Sequence, residues 1–157
     1  MDIEELRKDF WSAFGPAAGQ VEQYFDFWEA YSLAHPRGSL LNPIQANAVY
    51  PTAVFARQKA VLEQVLKTAA NHSLSEFVQR VEFLRSGLEH ARLSARFMGT
   101  LDMGKVSAER KRFLKFQRAL KDLIAFRRAN EHLFISDYLD AAKLRERGNV
   151  KGLDRLF

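Results

Sequence analysis

Residues 77–98 read FVQRVEFLRSGLEHARLSARFM, and the spacing of their apolar side chains decides the fold class. Phe77, Val81, Leu84, Leu88, Ala91, Ala95 and Met98 recur in alternating steps of four and three, which is one stripe of an α-helix. Phe83, Leu93 and Phe97 stand off that stripe. At about 100° per residue they fall on nearly the opposite side, together with Ser86 and His90. A helix with two apolar faces must be covered on both, so this segment is expected in the middle of a bundle. Glu82, Arg85, Glu89, Arg92 and Arg96 share the polar strip between the faces. Gly87 and Ser94 leave room for a neighbouring backbone.

The same period extends in both directions. Ile3, Leu6, Phe10 and Phe14 space a first helix, ended by Gly15-Pro16. A second helix is expected from about Pro16 to Leu33, with Val21, Phe25 and Trp28 as its core stripe. A third, from Thr52 to about Ala70, carries Val54, Phe55, Val61, Leu62, Val65, Leu66 and Ala69. Ser73 with Glu76 fits a capping box for the central helix, which should run over about 74–101. Ser107 caps a fifth helix to about Asn130, with Phe113, Phe116, Leu120, Leu123 and Ile124 inward. Leu133 to Ala142 has the spacing of a last helix, separate or continuous with the fifth. Nothing alternates like a strand. The expectation is an all-α, single-domain bundle of five to six helices over residues 1–157. His35 to Pro51 is the exception, holding Pro36, Pro43 and Pro51 amid apolar residues. It reads as a packed loop of the length that often serves function.

Composition narrows the function classes. The chain has no cysteine, which excludes disulfides and thiolate metal sites. No apolar run approaches the ~20 residues of a membrane span, and the amphipathic, acidic start MDIEELRKDFW is not a signal peptide. The formal charge of +5 is unevenly placed. Residues 1–34 hold seven acids and two bases, whereas residues 105–157 hold fourteen bases and seven acids.

Four sets of residues invite a chemical reading. His35, His72, His90 and His132 have no ligand spacing, so no metal or other cofactor is expected; His90 reads as a hydrogen-bonded core or interface residue. Glu82 and Glu89 lie about 10 Å apart along the helix, a spacing open to acid–base catalysis. Their neighbouring arginines give the simpler reading of surface pairs, and no catalytic residue is assigned. Trp28, Tyr31, His35 and Tyr50 form the candidate ligand-binding group, a platform for a sugar ring or an interface. Arg110, Lys111, Lys115 and Arg118, on a helix with nine bases between Lys105 and Arg128, form the alternative, a polyanion site.

Three stretches carry a resemblance. They are Phe10-Trp11-Ser12-Ala13-Phe14-Gly15-Pro16-Ala17-Ala18 with Val21, Tyr24, Phe25 and Trp28; Val81-Glu82-Phe83-Leu84 through Gly87-Leu88-Glu89-His90-Ala91; and Phe126-Arg127-Arg128 with Asp137-Tyr138-Leu139. They resemble the helical region of a bacterial family of glycoside-hydrolase-like proteins of unknown function, related to the α-glucuronidases. The resemblance implies a C-terminal helical region that follows a catalytic (β/α)-barrel, or a homologue of that region living alone; in the related glucuronidases the region packs on the barrel and can help dimerise the enzyme. The catalytic carboxylates would lie in that barrel, so none transfers to this chain. The expectation is a non-catalytic accessory or interface domain of a carbohydrate-active protein, with the barrel or a homo-oligomer as partner. The alternative is a free-standing module that binds a polyanion such as nucleic acid through residues 108–130.

Overall fold

The computed structural model describes residues 2–35, 49–71, 75–101 and 110–133, without the side chains of residues 101 and 110–113. The expected capping residues Ser73 and Ser107, most of the 35–51 loop and the last helix lie outside the described residues. Every regular element within them is helical: α1 (Ile3–Ser12), α2 (Ala18–Ala34), α3 (Thr52–Ala70), α4 (Ser75–Leu101) and α5 (Arg110–Ala129). Two single 3₁₀ turns, Gly15–Ala17 and Glu131–Leu133, complete them. The chain is all-α, and the 27 residues of α4 form its longest described helix.

Two compact units divide the chain, the first from Met1–Gly38 and Thr52–Leu88, the second from Ser39–Pro51 and Glu89–Phe157. The helix α4 contributes its first half to one and its second half to the other.

In the first unit the Asp2 carboxylate accepts from the Glu4 N–H at 3.3 Å and caps α1. Glu4 and Glu5 follow in the first turn, where the helix dipole favours acids. The reversal into α2 depends on Gly15, whose φ of +55° is left-handed. A Cβ there would also collide with the Phe77 ring. Pro16 then sets the 3₁₀ turn. Behind the turn, Phe14, Ala17, Val21, Val65, Ala69 and Val81 form one buried cluster from the turn, α2, α3 and α4. The helix α3 packs on both the turn and α2.

Three expectations need correction here. In α1 only the trailing Phe14 of the apolar stripe is buried; Ile3 is 70% exposed and Phe10 50%. In α2 the core row is Val21, Tyr24 and Trp28, so Phe25, one step round the helix, is exposed. In α4 the second apolar face is not covered along its length. Leu93 and Phe97 are buried, but Phe83 is 48% exposed.

In the second unit Leu93, Phe97 and Met98 of α4 meet Phe116, Ala119, Leu120 and Leu123 of α5. The Phe97 and Phe116 rings lie 5.6 Å apart. Of the row expected to face inward on α5, Phe116, Leu120 and Leu123 are buried and Ile124 packs against them partly buried, while the side chain of Phe113 lies outside those described.

Candidate functional site

Two of the exposed apolar residues of the first unit, Phe10 and Phe83, line one groove. Between α1 and the start of α4 lies a groove of about 470 Å³, lined by Phe10, Ala13 and Phe14 on one side and Phe83 and Leu84 on the other, with Glu76, Gln79 and Arg80 completing its wall. Arg80 fixes the two helices together by donating to the Ala13 carbonyl. It also lies 3.5 Å from Glu76, whose side chain stays largely exposed. Asp9, exposed, stands one turn before Ala13 on the same row of α1. The other flank of α1 is tied back to α2, because Arg7 pairs with Glu22 at 3.4 Å. The groove therefore has apolar walls from Phe10, Phe14, Phe83 and Leu84, and its charged lining is the exposed Glu76–Arg80 pair.

Three members of the candidate ligand group, Trp28, Tyr31 and His35, contact one another at the end of α2. On α2, Tyr31 stacks on Phe27 at 5.6 Å and on His35 at 4.4 Å. These neighbours are one turn below and one turn above, so both flat faces of Tyr31 are taken up by the helix itself. Trp28 meets Tyr24, Tyr31 and Phe55. His35 hydrogen-bonds the Tyr31 carbonyl at 2.8 Å through Nδ1. A carbonyl only accepts, so the proton sits on Nδ1. Tyr50 belongs to the second unit. The α2 aromatics form a self-stacked ladder.

The carboxylates with catalytic spacing are both engaged. Glu82 pairs with Arg85 at 2.9 Å, and Glu89 holds Arg92 in a two-pronged contact at 2.6 and 2.8 Å. Hydrogen bonding to Glu89 holds the half-buried Arg92 guanidinium yet more firmly protonated, against the opposing cost of burial, with the Glu89 and Asp122 charges adding to the effect.

A polar pair in the second unit was only half legible in the sequence. His90 Nε2 accepts from Arg127 Nε at 3.1 Å, and its ring lies against Phe126. A guanidinium only donates, so Nε2 carries a lone pair and His90 is neutral there. Burial, and then the adjacent Arg127 charge, lowers its pKa to about 4. The hydrogen-bonded reading of His90 holds. Its partner was not foreseen, because Arg127 is only 7% exposed and arginine is rarely so buried.

On α5, Arg110 and Lys111 lie outside the described side chains, while Lys115 and Arg118 are exposed. Asp122, the acid of this helix, is bound to Arg96 at 2.9 Å.

Among the described residues no group of three His, Cys, Asp or Glu could hold a metal ion, and no helix is long and apolar enough to cross a membrane. Comparison with protein-family models, with curated proteins and with solved structures finds no match to this chain.

Proposed function

We propose that the chain is a non-catalytic helical interface domain that docks on another protein through the groove between α1 and α4. One observation supports this above the others: Ile3, Leu6, Phe10 and Phe83, on two different helices of one unit, leave large apolar area open beside a shaped concavity. Exposed apolar surface of this kind characterises interaction sites. Its form suits an amphipathic helix laid into a hydrophobic groove. The engaged Glu82 and Glu89 favour a role without acid–base chemistry. That the partner is a carbohydrate-active protein rests on the resemblance of the three quoted stretches alone.

A photo-reactive phenylalanine analogue at position 83, and in a second chain at the exposed position 60 on α3, tests the reading in the native host. Protein adducts from position 83 and none from position 60 are expected. Absence of adducts at 83, or equal adducts at both positions, overturns it.

A further inference from the structure

We infer that α4 carries a hinge at Ser86-Gly87, about which its first half turns as one body with the first unit. Glycine is the poorest interior helix residue after proline, yet Gly87 stands near the middle of the 27-residue α4. Close packing does not account for it, because the space a Cβ would take has nothing within 4 Å. The room expected there for a neighbouring backbone is empty. A glycine beside a serine is a place where long helices bend. Three other features break at the same step. The boundary between the two units follows one residue later, between Leu88 and Glu89. The buried clusters part there too: the first takes Val81 from α4, with Leu84 packed against it, and the second starts at Leu93. The ion pairs also turn away from the step. Arg85 and Glu89 have the i, i+4 spacing of a helix pair that would clamp it. Arg85 instead holds Glu82 at 2.9 Å, and Glu89 holds Arg92 at 2.6 Å. Among the described residues no ion pair joins the two halves of α4. Every α4 residue that lines the groove, from Glu76 to Leu84, precedes the step. A bend at Gly87 therefore re-aims the groove without reshaping it, whatever fills the groove.

Spin labels at Gln79→Cys and Lys121→Cys test the hinge; both positions are exposed, and the chain has no cysteine of its own. Pulsed electron–electron double resonance on the full chain should give a broad distance distribution, and Gly87→Ala should narrow it. Gly19→Ala is the control. Gly19 is also helical with open space at its Cβ position, but it lies within the first unit. Its replacement should leave the distribution unchanged, although either alanine favours helix. Hydrogen exchange gives a second readout. The N–H groups of residues 88–91 bond across the step to the carbonyls of residues 84–87. Their protection should be lower than that of residues 81–84, whose bonds lie wholly in the first half. It should rise about fivefold in Gly87→Ala, the factor by which alanine exceeds glycine inside a helix. A native distribution already as narrow as that of Gly87→Ala overturns the hinge. So does one that stays as broad in Gly87→Ala, which puts the motion elsewhere, or one that Gly19→Ala narrows equally. Equal protection of residues 81–84 and 88–91 in the native chain has the same result.

Discussion

At the scale of single residues, Gly15 has the largest structural leverage. It combines a left-handed φ with a position where an added Cβ would force the Phe77 ring to move. Gly15→Ala should cost about 2 kcal/mol or more, since backbone strain of this kind alone costs about 1–3. Urea unfolding measures it, and a change below a few tenths would show that the turn can relax. The buried Gln58 is the converse case. Its Oε1 lacks a hydrogen-bond partner and the residue is closed off from solvent. Gln58→Leu should therefore raise stability by about 1 kcal/mol, because an unsatisfied buried acceptor costs about 1–3; a lower melting temperature would contradict this. His90 gives the pH signature. Its folded pKa of about 4 lies below the ordinary 6.5, so the unfolded chain takes up the proton first as pH falls. Its contribution is complete above pH 6.5 and is lost between 6.5 and about 4. The difference in stability between the native chain and His90→Gln should shrink across that window and stay level above it. The Gly15-Pro16 stop and the bonded state of His90 were both legible, since glycine, proline and an interior histidine carry local signals. The burial of Arg127 was not. Its partner is thirty-seven residues away, and helical spacing along one segment says nothing of that.

At the scale of elements, the period of 3.6 gave α3 to the residue and α4 within one residue at its start. Helical spacing identifies which rows are apolar, but not which apolar rows another element covers. The stripe of α1 is as regular as those of α3 and α5, yet Ile3, Leu6 and Phe10 stay exposed. The candidate site was missed for that reason: its signal was present as Phe83 off the main stripe and as the α1 stripe, and each looked like core. Within α4 the covered stripe is testable against the polar strip. Leu88 is buried, so Leu88→Ala should cost about 2–5 kcal/mol. Arg92→Ala should cost about 1–2, above an exposed pair because its contact with Glu89 is half-buried and two-pronged. Equal melting shifts would mean that the faces are assigned wrongly. For α5, the alternative of a polyanion site predicts salt-sensitive binding lost when Arg110, Lys111, Lys115 and Arg118 become glutamine. A solvated outer face predicts only the nonspecific range, about 10⁻⁴–10⁻⁶ M. The docking reading expects the latter, and submicromolar binding to duplex DNA at physiological salt would favour the polyanion.

At the scale of the whole molecule, the proposed docking role rests on a difference between two kinds of apolar surface. The clusters behind Gly15 and between α4 and α5 are buried and hold their units together. The surface shared by α1 and the first half of α4 is apolar and open. On the docking reading, the 48% exposed Phe83 contributes little to folding. Urea unfolding of Phe83→Ser against the native chain tests this directly. The predicted result is a free energy of unfolding within about 1 kcal/mol of the native value, as for a surface substitution. A loss of about 3–5 kcal/mol, the cost of truncating a buried phenylalanine, would mean that the chain itself fills the groove and would contradict the docking face.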